Sequence, residues 1–169
     1  SSGTQAWYAE DLGEITDQYL ITPAISLPSD QSPLTLAFQN WQGIESNGPD
    51  CYDGAVVEIS KDDGATWTRL ETELITDPYD GEVDLYYGNP IAGDNAWCGD
   101  PQDWLESVVD LNAWAGDDVK IRFRLATDGS IGAEGWYIDD IEVTSCRQVV
   151  FGDGFETGDT RNWIETLEP

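Results

Sequence analysis

Residues 119–125, "VKIRFRL", alternate without a break. Val119, Ile121, Phe123 and Leu125 fall on one face, and Lys120, Arg122 and Arg124 on the other. A period of two belongs to a β-strand with one buried and one wet face; a helix would scatter the same residues around its axis. "PLTLAFQ" (33–39) repeats the pattern with Leu34, Leu36 and Phe38, and "GAVVEIS" (54–60) with Ala55, Val57 and Ile59. "YLITPAISL" (19–27) carries Pro23, which cannot donate to a ladder, so it reads as an edge strand or two short strands. No segment has a convincing helical period, and Gly- and Asp-rich turns separate the runs. The expected class is all-β, an antiparallel β-sandwich.

One strand breaks its own rhythm. In "GWYIDDIEV" (135–143), Ile138 belongs to one face and Ile141 with Val143 to the other. A bulge at Asp139–Asp140 would restore a single buried face. Such a bulge either turns an Asp toward a metal or a buried hydrogen-bond network, or leaves both carboxylates in water.

The chain has 169 residues, enough for one domain with a real core. It carries 34 Asp and Glu against 7 Lys and Arg, a net charge of −27. So acidic a surface repels nucleic acid and anionic membranes. No apolar run is long enough to insert into a bilayer. No apolar leader opens the sequence, which reads as a cytosolic chain or a mature fragment. Cations are what such a surface attracts, and carboxylates among Gly and Asn in loops are hard ligands suited to calcium. Most of the 34 are expected to be solvated surface, with a handful left for a metal. Lys120, Arg122 and Arg124 are expected to neutralise carboxylates on neighbouring strands.

There is no histidine. That removes a His general base, the Ser-His-Asp and Cys-His arrangements, and nearly all catalytic zinc sites. Paired carboxylates, such as Asp139 or Glu134 in a glycosidase, remain, but any acidic chain offers such pairs by chance. A domain without catalysis is expected.

"SKDDGATW" (60–67) fits the Asp-box pattern S-x-D-x-G-x-T-W, best known from the propeller blades of sialidases. A propeller needs repeated blades, and this chain has one box and no repeat near 45 residues. The box is read as a structural hairpin. Asp62 accepts backbone N–H groups, Gly64 supplies a positive φ and Trp67 packs beneath.

The segment from Pro78 to Trp104 shows no clear strand and holds Tyr79, Tyr86, Tyr87, Trp97 and Trp104. Long loops of this kind are often functional. Tyr86, Tyr87, Trp97 and Trp104 could stack on sugar rings, or pack the loop over the sandwich edge. Cys51, Cys98 and Cys146 are too widely spaced for a CxxC pair. A Cys51–Cys98 disulfide is expected, since it would pin this loop beside the "YDG" strand; the rival pairing uses Cys146. After Cys146 the composition shifts, dividing the chain into a domain over 1–146 and a linker or tail over 147–169.

Several stretches in order resemble the MAM-like jelly-roll domain of secreted bacterial proteins, including the non-catalytic domain of immune inhibitor A-type metalloproteases. They are "TDQYLITPAISL", "LTLAFQNWQGIE", "YDGAVVEISKDDGATW", "NPIAGDNAWCGD", "VVDL" and "VKIRFRLATDGSIGAEGWYIDDIEV". The resemblance implies jelly-roll topology, secretion, attachment to a parent catalytic domain and bound calcium. "YDGAVVEIS" and "TDGSIGAEGW" also resemble the calcium-site segments of CUB domains. These likenesses place Glu45, Asp53 and Asp128 around one cation, with Asp17 and Asp139 as further candidates. Ala55 stands where the family motif has Gly, and Cys51 and Cys98 are not part of the pattern. "FGDGFETGDTRNW" is similar to a C-terminal sequence on many secreted bacterial proteins. The function implied is a calcium-stabilised, non-catalytic accessory domain of a secreted protease or other exoenzyme, aiding stability or docking of a protein or glycan substrate. The alternative is a carbohydrate-binding module using the loop aromatics.

Overall fold

The computed structural model describes residues 3–146, 148–161 and 163–168. Its strands in chain order are β1 (Trp7–Ala9), β2 (Thr16–Ile21), β3 (Ile25–Ser26), β4 (Leu34–Gly43), β5 (Ser46–Asn47), β6 (Asp50–Cys51), β7 (Gly54–Ser60), β8 (Thr68–Arg69), β9 (Gly81–Glu82), β10 (Asn95–Ala96), β11 (Leu105–Asp110), β12 (Asp118–Thr127), β13 (Gly135–Ser145), β14 (Val149–Asp153) and β15 (Ile164–Glu168). Two antiparallel sheets carry the fold. One runs β1-β13-β4-β11, with β14 also on β13; the other runs β15-β2-β12-β7-β8, with β3 also on β12.

The alternation read from the sequence sets which faces meet. Val119, Ile121, Phe123 and Leu125 of β12 are buried, as are Leu34, Leu36 and Phe38 of β4. Phe38 from one sheet meets Phe123 from the other edge-on at 5.1 Å, and Trp136 of β13 lies 6.1 Å from Phe123. Each of these side chains contributes roughly 1.5–3 kcal/mol by leaving water. Pro23 does what a residue without an N–H must, splitting β2 from β3.

The outer face of β12 is a ladder of ion pairs. Arg122 Nε donates to Glu58 at 2.6 Å, Arg124 holds Asp17 through two bonds of 2.7 Å, and Lys120 pairs with Asp63. The Arg122 guanidinium also lies 4.7 Å from the Tyr19 ring centroid and 4.4 Å from that of Trp67. Trp67 therefore stacks on an arginine at the outer face instead of entering the core. These contacts leave every residue of β7 buried, Glu58 included.

The Asp box closes the β7–β8 hairpin. Asp62 accepts Thr66 N at 2.8 Å, Thr66 Oγ1 at 2.6 Å and Ser60 Oγ at 2.8 Å, which pulls its carboxyl down to about 2. Gly64 sits at φ +93°, where a Cβ would meet Trp67 at an ordinary 3.4 Å. Backbone strain is then the main penalty of a side chain there. Gly64→Ala is expected to cost about 1–2 kcal/mol. Urea titration reads this, and a variant as stable as the parent refutes it.

The 78–104 segment holds one short ladder, β9 with β10. A disulfide joins Cys51 to Cys98, and Trp97 is buried against Phe38 and Tyr79. The loop is thus part of the core at one end of the sandwich. The segment after Cys146, set apart by composition, gives one strand to each sheet. β14 pairs with β13 and β15 with β2, so the sheets extend past the boundary drawn at 146. Trp163 is buried between Phe151 and Phe155 and donates to Asp153 Oδ2 at 2.8 Å.

Candidate metal centre

Three strands deliver carboxylates to one end of the sandwich. Asp53 immediately precedes β7 and Asp128 immediately follows β12. The two strands pair with Gly54 opposite Ala126, so their ends coincide. Glu45 lies two residues beyond β4, in the other sheet. Oxygens of Glu45, Asp53 and Asp128 all lie within 4.8 Å of one another, a grouping able to hold a metal ion. Asp53 and Asp128 are fully buried.

A fourth acid joins them. Asp11, 3% exposed, accepts Glu45 N through Oδ2 at 2.8 Å and lies against Asp53. Sequence reasoning missed it, because "AEDLGE" lies between strands and has no period to mark an inward carboxylate.

The backbone fixes one oxygen of several of these groups and leaves the other bare. Asp53 Oδ1 accepts Asp128 N at 2.5 Å and Asn89 Nδ2 at 3.3 Å. Asp128 Oδ1 accepts the N–H and hydroxyl of Ser130 at 2.7 and 2.8 Å. Asn89 also donates to the Tyr52 and Ala126 carbonyls, tying the long loop to both strands. Asp11 Oδ1, Glu45 Oε2, Asp53 Oδ2 and Asp128 Oδ2 are all buried without a hydrogen-bond partner. An unpaired buried acceptor is costly, and a charged one more so.

The electrostatics follow from this crowding. Burial raises the Asp53 carboxyl far above its usual range, and contact with Asp11 adds to the rise. Burial raises Asp11 as well. Glu45 is raised by burial and then by the Asp128 and Asp11 charges. Among the described residues, Arg69, Lys120, Arg122, Arg124 and Arg161 all form their ion pairs with acids outside the cluster. Three hard oxygens within 4.8 Å of one another, with Asp11 beside Asp53 and no ion pair to the cluster among the described residues, suit a divalent cation.

Of the five acids named from sequence, the structure brings Glu45, Asp53 and Asp128 together. Asp17 is held by Arg124 and Tyr19 on the outer face of β12's sheet. Asp139 lies at the bulge of β13, where the register against β4 shifts between Asp139 and Glu142. The aromatics disperse too. Tyr86 is 86% and Tyr87 51% exposed, Trp104 is half-buried, and Trp97 is fully buried with no face open to a ligand.

The family model for the immune inhibitor A-like MAM domain matches residues 1–165. The chain is 28% identical over 122 residues to Bacillopeptidase F of Bacillus subtilis (strain 168), covering 72% of this chain and 6% of that protein. It is 32% identical over 90 residues to Pre-pro-metalloprotease PrtV of Vibrio cholerae serotype O1 (strain M66-2), covering 46% of this chain and 9% of that protein. The chain therefore spans less than a tenth of the length of these relatives.

Proposed function

Because the chain belongs to the immune inhibitor A-like MAM domain family, we propose that it is a calcium-stabilised, non-catalytic accessory domain of a secreted bacterial protease or other exoenzyme. The observation that carries this reading is the set of four buried, unpartnered carboxylate oxygens on Asp11, Glu45, Asp53 and Asp128. Calcium accepts six to eight oxygens in irregular geometry, whereas magnesium demands a small octahedron and keeps its water. Carboxylates drawn from four separate segments suit the larger ion. By joining the end of β4 to the ends of β7 and β12, the ion would clamp one sheet to the other.

A parent catalytic domain is the natural partner. Both relatives bear protease names and are more than ten times longer than the matched region. The Cys51–Cys98 disulfide supports an oxidising, extracellular setting. The part played toward the parent is stability or the docking of its substrate.

Thermal denaturation of chelator-treated protein tests the metal. Calcium is expected to raise Tm well beyond magnesium at matched ionic strength, by about 2.7 kcal/mol of stability at a hundredfold excess over Kd. Asp53→Ala should remove most of that difference. A melting curve of demonstrably metal-free protein that calcium leaves unchanged would overturn the reading.

A further inference from the structure

The outer face of the β1-β13-β4-β11 sheet carries an aromatic row that the core does not use. The register sets Tyr8 beside Tyr137, and Tyr137 beside Trp41. Leu105 pairs with Asn40, so Trp104, just before β11, falls at the level of Trp41. The Tyr8 and Tyr137 rings lie 4.6 Å apart, and Trp41 meets Tyr137 edge-on at 5.3 Å. Both tyrosine hydroxyls donate to Glu134, that of Tyr8 to the carbonyl at 2.6 Å and that of Tyr137 to Oε1 at 3.3 Å, which fixes the rings. None of the four aromatic residues is buried.

The next row along the sheet is polar. It holds Glu106, Gln39 and Asp139, paired in that order across β11, β4 and β13. An Asp on an outer face is ordinarily wet, yet Asp139 is 1% exposed. Its Oδ1 accepts Asp140 N at 2.8 Å, while Oδ2 is buried with no hydrogen-bond partner. Trp104, Tyr137, Asp139 and residues 3–6 border a cleft of about 400 Å³. Among the described residues, no Lys or Arg lines it. The cleft therefore joins aromatic rings to an uncompensated carboxylate.

The other sheet shows what completes such a frame. On the outer face of β12 the Arg122 guanidinium lies 4.7 Å from the Tyr19 ring and 4.4 Å from that of Trp67, and its Nε donates to Glu58 at 2.6 Å. We propose that the cleft at Trp104 is a docking site for an arginine side chain of a partner polypeptide, its guanidinium lying against the Trp104 and Tyr137 rings and forming an ion pair with Asp139. A guanidinium is planar, always charged and weakly hydrated, so it stacks on aromatic rings and enters a half-dry cleft more readily than an ammonium does. Glu106, exposed in the same row, adds attraction at the edge of the sheet. A net charge of −27 steers a basic chain toward the domain over a longer range. Sugar hydroxyls could bond to Asp139 and sugar rings could stack on the same aromatics, but they bring no counter-charge to a buried carboxylate. This site goes beyond the accessory role and does not depend on calcium.

Titration of the isotope-labelled chain with a blocked pentapeptide of Gly and Ser around one central arginine tests this. The Trp104 indole N–H and the amides of residues 4–6 and 137–139 give the readout by NMR. Matched peptides carry lysine, which keeps the charge, or citrulline, which keeps the shape without it. At physiological salt the arginine peptide is expected to shift these signals saturably, about threefold or more tighter than lysine, with citrulline silent. Asp139→Asn should weaken binding about tenfold or more, and Trp104→Ala about threefold or more. If Asp139→Asn fails to fold, Trp104→Ala and Glu106→Gln carry the test, since neither position belongs to the core; each should weaken arginine binding and leave Tm in place. The proposal is overturned by equal responses to arginine and lysine, by shifts that do not saturate or that spread over the whole acidic surface, or by affinity unchanged in Trp104→Ala. A neutral oligosaccharide that moves the same signals when arginine does not would overturn it too.

Discussion

Removing the Cys51–Cys98 disulfide is expected to destabilise the domain by about 4 kcal/mol. The bond closes a loop of 47 residues, and restricting so long a loop in the unfolded chain is worth roughly that much on the loop-entropy account. The native state loses something as well. Both sulfurs are buried, and Cys51 stands two residues before Asp53. Slackening the loop there also loosens Asn89, whose amide ties it to Tyr52, Asp53 and Ala126. Cation affinity should therefore fall along with stability. Urea titrations of the wild type and of Cys51→Ala/Cys98→Ala, with and without calcium, measure both effects. A loss below about 1 kcal/mol would show that the core holds the loop without the bond.

In metal-free protein, stability is expected to fall as pH rises from 5 to 8, the reverse of the usual behaviour of paired carboxylates. An unfolded Asp titrates near 3.9. In the folded state Asp53 is pushed up to about 9, mainly by burial. Between those values the folded protein holds a proton that the unfolded chain has released, so each step up in pH favours unfolding. For a single proton the slope is at most about 1.4 kcal/mol per pH unit, or about 4 kcal/mol over the window. Saturating calcium should remove the decline, since the ion takes the proton's place among the same oxygens. Asp53→Asn, which has no proton to lose, should flatten the metal-free profile. A metal-free wild type equally stable at pH 5 and 8 would mean that the cluster stays ionised without help.

Periodicity made the sandwich legible. Lys120, Arg122 and Arg124 could be placed on the wet face of β12, and their acidic partners were inferable from sign alone. The Asp139–Asp140 bulge was legible because burying Ile138, Ile141 and Val143 together requires one extra residue. Glu45, Asp53 and Asp128 came from resemblance, since no spacing in the chain announces that the ends of β4, β7 and β12 converge. Trp97 was illegible as a core residue because its burial depends on how a loop folds back, which two-residue alternation does not report. Asp17 and Asp53 look alike in sequence. They differ only in that Asp17 faces Arg124 across a strand pair, while Asp53 lies beyond the end of its ladder.

The pairing of the strands also dictates an order of events during folding. Before residue 104 the long strands β2, β4 and β7 have no long partner: β2 waits for β12 and β15, β4 for β11 and β13, and β7 for β12. Loop closure across such separations is slow, and a growing chain exposes apolar strand faces until residues 118–127 arrive. The Asp-box hairpin is the exception. β7 and β8 lie a few residues apart, and Ser60, Asp62 and Thr66 satisfy one another locally. It gives the nascent chain a locally satisfied turn at β7, the strand on which β12 must later dock.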